Sequence, residues 1–266
     1  MMREITIGQY YRGDSMLHRL DPRTKVAGTI LYVISLFVAK SLPGYLLAAA
    51  MLALLIRLST VPFSYMTRGL KAIFAILMFS VVLNMFFIPG KVVLDFGFCD
   101  ITKEGLEMAV KMAVRLIFLI LGTSLMTLTT TPNQLTDGME KLLGPLNKIH
   151  IPVHEIAMMM SIALRFIPIL TEELDKIMKA QMARGAEFDQ GNVIQKVKSV
   201  IPILVPLFVS AVRRATDLAM AMESRCYHGG EGRTKMKPLM YQKQDYMCYG
   251  VLVCYLVAMA ALRICL

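Results

Sequence analysis

Two arginines close the two longest helical patterns of this 266-residue chain, Arg184 in Gln181-Met182-Ala183-Arg184-Gly185 and Arg225 in Met222-Glu223-Ser224-Arg225-Cys226. A guanidinium is a planar fork of N–H donors that keeps its charge at any ordinary pH. It fits carboxylates and backbone carbonyls, and it does not shuttle protons. The chemistry open to such a pair is therefore recognition rather than bond making. Either arginine alone has a simpler use, since a cation in the last helical turn complements the helix dipole by about 0.3–1 kcal/mol. Two of them, each at the tip of a run of roughly 30 residues and about 45 Å of helix, suggest two docking points for soluble partners.

Other chemistry-bearing residues are sparse. His150 and His154 stand four apart, but Pro152 lies between them and breaks the helix that a two-histidine zinc site requires. The five cysteines, Cys99, Cys226, Cys248, Cys254 and Cys265, show no paired metal-ligand spacing and read as small apolar residues. No G-x-x-x-x-G-K-[ST] loop occurs, so the chain is not expected to hydrolyse ATP itself. An enzyme working inside a membrane would need His, Asp or Glu clusters in its apolar segments, and these nearly lack them. An autonomous carrier would show polar residues near the midplane, where only Asn84 and a few hydroxyls qualify.

These residues belong to a membrane protein. Hydrophobic residues make up 56% of the chain and the mean hydropathy is +0.57, too apolar for an ordinary soluble domain. The net charge of +10 is accounted for by basic loops on the cytoplasmic side of a bilayer, so no nucleic-acid partner is implied. Residues 1–25 are polar and hold no signal-peptide core. Apolar segments follow at 26–39, 45–58, 73–88, 109–128 and 246–262. The first two are short for a span of about 20 residues and form a thinned or tilted hairpin across Lys40-Ser41-Leu42-Pro43-Gly44. Asp21 and Pro22 supply an N-cap and a first helical residue for the first of them.

Loop charges set the orientation. Arg3, Arg12, Arg19, Arg23 and Lys25 precede the first span, and Arg57, Arg68 and Lys71 lie between the second and third. Between the third and fourth spans, Lys91 and Lys103 are offset by Asp95, Asp100, Glu104 and Glu107, which puts the 89–105 loop outside. The positive-inside rule puts the N-terminus and residues 129–245 in the cytoplasm. The chain then divides into a cytoplasmic segment at 1–25, a four-helix transmembrane region at 26–128, a cytoplasmic coupling domain at 129–245 and a last transmembrane helix at 246–266. The fold class is all-α polytopic, with about five transmembrane helices. Arg115, near the outer end of the fourth span, either snorkels or finds a buried partner.

The coupling domain reads as three helices. Thr131-Pro132-Asn133-Gln134 is a capping box that starts a short one, and Gly144-Pro145 ends it. A second helix starts at Ile151-Pro152 and runs to Arg184, and a third runs from about Val193 to Arg225. Their apolar parts, 156–170 and 200–212, are short for a span and suit the membrane interface, with seven spans as the alternative. Pro168, Pro202 and Pro206 fall inside these patterns and should kink them. If the two long helices cross or pack antiparallel, their C-terminal ends point apart, and no single compact site can use both arginines.

The N-terminal run Gly8-Gln9-Tyr10-Tyr11-Arg12-Gly13-Asp14-Ser15 and Leu17-His18-Arg19-Leu20-Asp21-Pro22-Arg23-Thr24-Lys25 resembles the opening of the CbiQ-like T proteins of energy-coupling factor (ECF) transporters. So do Ala163-Leu164-Arg165-Phe166-Ile167-Pro168, Ala183-Arg184-Gly185 and the stretch from Arg214 to Tyr227, in order along nearly the whole chain. The resemblance implies the membrane scaffold of an ABC-type importer that binds two cytoplasmic ATP-binding subunits and one substrate-binding membrane protein, the S component. It implies that Ala183-Arg184-Gly185 and Ser224-Arg225-Cys226 are the tips that enter the two ATPases, with no cofactor or metal of the chain's own. Ser224 and Cys226 depart from the Ala-Arg-Gly pattern on both sides of Arg225 and put that helix cap in doubt. The likeness is to the T proteins of vitamin importers, with a dedicated cobalt or nickel importer as the alternative. Among the 22 methionines, Met158, Met159, Met160, Met220 and Met222 would offer an adaptable seat for exchangeable S components, or ordinary apolar packing. The transported substrate is not written in this chain.

Overall fold

Asp21 begins the membrane helices as its sequence predicts: its carboxylate accepts the Arg23 N–H at 2.9 Å, and Pro22 occupies the first helical position. The computed structural model describes residues 10–11, 13–39, 41–87, 92–95, 100–186, 193–230, 236 and 238–265. In chain order the helices are α1 (Met16–Arg19), α2 (Pro22–Val38), α3 (Leu42–Ser59), α4 (Phe63–Phe87), α5 (Lys103–Thr129), α6 (Pro132–Leu143), α7 (Val153–Ala183), α8 (Val193–Glu223) and α9 (Lys243–Cys265). Of the residues named from sequence, Arg3, Gly8, Gln9, Arg12, Lys40, Lys91 and Cys99 lie outside the described ones.

The chain folds as two units, one made of Met1–Lys141 and Leu239–Leu266, the other of Leu142–Pro238. In the first unit α5 packs against α2, α3 and α4, while α9 packs against α2 and α3. Its core holds Leu36, Ala48, Leu52, Met66, Leu121, Leu125, Leu128, Tyr255 and Met259, all buried. Gly122 of α5 is needed where it stands, because a Cβ there would lie 2.6 Å from the Tyr32 ring of α2. A polar contact joins α2 to α9 within this core, between the hydroxyls of Ser35 and Tyr255 at 2.7 Å. The outside of the unit is apolar, with Ile30, Ile34, Phe37, Leu46, Phe74, Phe79, Val253 and Val257 all exposed, as a lipid-facing surface requires.

The connection between α4 and α5, read from sequence as an outer loop, carries two short antiparallel strands, β1 (Val92–Asp95) and β2 (Asp100–Thr102), with Asp95 opposite Asp100. Thr102 then caps α5 by accepting the Gly105 N–H at 3.0 Å.

Among the described residues, five helices are long and apolar enough to cross a membrane: Leu42–Ser59, Lys103–Thr129, Val153–Ala183, Lys198–Glu223 and Lys243–Ile264, or six if bent α4 is one span. α7 and α8 belong to this set, although their contiguous apolar runs are short. α2 is 17 residues long, near the lower end of the range for a spanning helix. The architecture is that of an all-α polytopic membrane protein with the β1–β2 hairpin added.

Arg115 finds its partners inside the first unit. It donates to the Tyr45 hydroxyl at 2.9 Å and the Ala39 carbonyl at 3.4 Å, with the Phe37 ring 5.4 Å away.

Candidate functional site

The second unit presents the two arginines. Its long helix α7 is preceded by a 3₁₀ segment, Gly144–Ile149, and by His150 in a left-handed turn at φ 62. Pro152 offers no capping side chain, so Asn147 reaches forward and accepts the Val153 N–H at 3.1 Å.

α7 ends in a closed cap. Arg184 is the capping residue, Gly185 follows at φ 86, the Gly185 N–H donates to the Met182 carbonyl at 3.0 Å, and the Ala186 N–H donates to the Gln181 carbonyl at 3.0 Å. This is the paired-bond Schellman arrangement, whose left-handed position glycine fills without strain. α8 ends in the same way. Arg225 holds the equivalent place, Cys226 follows at φ 56, the Cys226 N–H donates to the Glu223 carbonyl at 2.9 Å, and the Tyr227 N–H donates to the Met222 carbonyl at 3.1 Å. The departure of Ser224-Arg225-Cys226 from Ala-Arg-Gly therefore leaves the cap geometry intact. An L-residue in this conformation costs roughly 1–2 kcal/mol, and the two closing hydrogen bonds offset it.

Both arginines, with Ala183, Gly185, Ser224 and Cys226, are exposed. Neither guanidinium forms an ion pair with another described residue.

Three contacts fix how α7 and α8 run. Arg214 Nη2 donates to Glu173 Oε2 at 2.7 Å. Gln181 Nε2 donates to the Pro202 carbonyl at 3.3 Å. Beyond α8 the chain returns to the first turn of α7, where Gly230 sits so close to His154 that a Cβ would overlap the ring. As residue numbers rise on one helix they fall on the other, so the pair is antiparallel. Arg184 lies beside the early turns of α8, and Arg225 lies beside the start of α7. Along the pair the two arginines are about 35 Å apart at 1.5 Å per residue.

The Gln181 contact follows from two prolines in one helix. Pro206 has no N–H, so the Pro202 carbonyl lacks its usual donor four residues on. The Gln181 side chain of α7 supplies a donor in its place, while the Gln181 carbonyl accepts the N–H that closes the Arg184 cap.

The methionines fall at one end of the pair. Met158 and Met222 are half-buried, and Met159, Met160 and Met220 are exposed. By the antiparallel register all five lie at the Arg225 end. Beside them α7 exposes Ile156, while farther along the pair, toward the Arg184 end, α8 exposes Val205, Phe208, Val209 and Val212.

Sequence reasoning missed Gln181 and Gly230. Gln181 carried a usable signal, in the form of a proline four residues after another proline, which leaves a carbonyl unpaired. Gly230 carried only its place after a helix end.

The family described as CbiQ, cobalt transport protein, matches residues 13–236. Energy-coupling factor transporter transmembrane protein EcfT of Clostridium kluyveri is 53% identical over 259 residues, covering 96% of each chain. The proteins of the same name from Thermosediminibacter oceani and Bacillus subtilis are 55% and 49% identical, covering 93% and 92% of this chain and 94% and 93% of their own. The chain belongs to this family of energy-coupling factor transporter transmembrane proteins.

It is thus a multi-pass membrane component of a transporter. The match runs through both arginine-closed ends as well as the membrane helices, so membership covers the second unit and is not confined to the apolar segments.

Proposed function

We propose that this chain is the scaffold subunit of an ABC-type importer, in which each arginine-closed end docks one cytoplasmic ATP-binding subunit. The observation that carries this reading is the pair of like caps, each with an exposed arginine at its tip, set about 35 Å apart on one antiparallel helix pair. A single active site has no use for two such separated forks, whereas two separate subunits do. An exposed guanidinium offers charge-assisted hydrogen bonds to carboxylates and carbonyls in a groove. ATP binding would draw the two docked subunits together, and α7 and α8 would carry that motion to the membrane, where an S component reorients with its vitamin. The chain itself performs no hydrolysis in this reading.

In this reading residues 1–25 and 129–245 face the cytoplasm, 26–128 and 246–266 hold the transmembrane helices, and α7 and α8 lie along the membrane interface. Loop charge supports the orientation. The exposed apolar residues of α7 and α8, with Met158, Met159, Met160, Met220 and Met222, suit an S component and lipid, since methionine adapts to different partner surfaces. A second reading, a dedicated cobalt or nickel importer with the same docking ends, draws support from the description of the matching family. The small membrane protein that co-purifies decides between them by whether it binds a vitamin or a metal ion.

The test is co-purification from membranes with its ATPases and S component. The wild-type chain should bring down two ATP-binding subunits, Arg184→Ala or Arg225→Ala should weaken one attachment by about ten- to hundred-fold, and the double variant should recover neither. A double variant that assembles and transports like wild type would end this reading. Replacing Met158, Met159 and Met160 by leucine should slow exchange among S components, and unchanged exchange would remove those residues from the seat.

A further inference from the structure

The strongest unexplained feature lies in the first unit, at the five consecutive residues Asp21, Pro22, Arg23, Thr24 and Lys25 that open α2. The chain leaves this unit after Lys141 and returns at Leu239. Both of those strands are gripped by this one turn.

On the outgoing side, Lys25 is buried and its ammonium donates to the Thr129 carbonyl at 2.9 Å, where α5 ends. The same ammonium donates to the His18 carbonyl at 3.2 Å. Further along, Gly138 of α6 packs on Pro22 so closely that a Cβ there would lie 2.9 Å from Pro22 Cβ and 3.2 Å from its carbonyl carbon. On the returning side, Arg23 Nη2 donates to the Leu239 carbonyl at 2.7 Å and its guanidinium lies 4.3 Å from the centre of the Tyr241 ring. Asp245, almost wholly buried, accepts the Asp21 N–H at 2.8 Å with one oxygen and the Gln242 N–H at 2.8 Å with the other. Asp21 ties the two sides together, because its carboxylate also takes both Arg23 Nε and Nη2 at 3.1 Å.

A helix start needs a cap and little more, and Asp21 alone supplies it. Buried charge on this scale costs desolvation free energy that an apolar turn would avoid. A network kept at that cost, with partners on both of the strands that connect to residues 142–238, has the layout of an anchor. We propose that the first turn of α2 is a fixed pivot, with Asp21, Arg23 and Lys25 as positioning residues. It holds both strands still, so that force entering from residues 142–238 reaches α2, α5 and α9 instead of being lost as slack. This rests on the scaffold function proposed above, but it concerns coupling and not the docking of partners.

The test separates the two. Arg23→Gln cuts the link to Leu239, and Tyr241→Leu, at a partly exposed ring, loosens the return strand with little risk to folding. Each variant is purified with its ATPases and S component, and uptake is measured per ATP hydrolysed in vesicles. Both should recover partners in wild-type amounts and continue to hydrolyse ATP, while uptake per ATP falls by about ten-fold, within the usual range of coupling between sites. Unchanged uptake per ATP in both variants overturns the pivot. So does reduced assembly with normal uptake per assembled complex, since the turn would then be structural only. A wild-type chain that recruits no ATPase sinks the docking reading and this one together, whereas intact recruitment with intact coupling sinks the pivot alone.

Discussion

Gly185 and Cys226 hold the same position in the two helix ends: each is the left-handed residue just after the arginine that closes its helix, at φ 86 and φ 56. Glycine reaches this region freely, and cysteine does not. The two ends thus share one backbone outline at different conformational cost. No described residue packs within 4 Å of the place a Cβ would take at Gly185, so the left-handed backbone is what calls for glycine there.

That gives opposite signs to two small substitutions. Cys226→Gly relieves roughly 1–2 kcal/mol of left-handed strain against about 0.4–1 kcal/mol of extra freedom in the unfolded chain, so it should stabilise the α8 cap slightly. Gly185→Ala imposes the strain at the other end and should destabilise that cap by about 1 kcal/mol. Thermal unfolding in detergent should show midpoints moving in opposite directions. ATPase recruitment should survive both changes, because each arginine stays in place. A Cys226→Gly midpoint below wild type would mean that the thiol is held by something other than the backbone cap.

Much of this arrangement could be read from the chain, and the reasons are local. Asp21-Pro22 capped α2 as expected, and Thr131 and Gln134 exchange hydrogen bonds at 3.1 and 3.3 Å as a capping box should. Gly185 announced the end of α7. At α8 the end was legible at Arg225 but the form of its cap was not, because the left-handed residue that most often signals such a cap is glycine and here it is Cys226. The contacts that set the antiparallel register, Glu173 with Arg214 and Gln181 with Pro202, join residues 41 and 21 apart. No local pattern fixes such a register. The pivot at α2 was invisible for the same reason: Asp21 and Asp245 are 224 residues apart. α7 and α8 are apolar enough to cross a membrane over more residues than the runs 156–170 and 200–212, because a spanning-length stretch can carry a charge or two.

Gln181 should matter to the Arg184 end in a way that depends on Pro206. Its side chain serves a carbonyl that Pro206 leaves without a helical donor. Gln181→Leu should cost about 0.5–1 kcal/mol, the lower part of the range for one hydrogen bond, given its 3.3 Å length and exposed setting. Pro206→Ala restores a backbone N–H four residues after Pro202, so in that background Gln181→Leu should cost measurably less. A double-mutant cycle on unfolding free energy reads the difference. Equal costs in both backgrounds would show that the Gln181 contact does not answer to the proline.

Lys25 gives the pivot a pH signature. Burial lowers its pKa from the ordinary 10.5 to about 8, and Asp245 and Asp21 only partly oppose that shift. The folded state therefore releases this proton near pH 8, while the unfolded chain keeps it until about 10.5. Between those values the unfolded state binds more protons, so the folded state gains stability as pH rises. Below about 8 both states are protonated, and the cost of the buried charge is constant and fully present. Cysteines and tyrosines also titrate in this window, so the informative quantity is wild type minus Lys25→Met. The midpoint of the wild-type protein in detergent should rise relative to Lys25→Met between pH 7.5 and 9.5, inside the window set by the two pKa values. A flat difference would mean that Lys25 is hydrated in solution, and a falling one that its ammonium is held by the Asp245 and Asp21 carboxylates more strongly than burial opposes it.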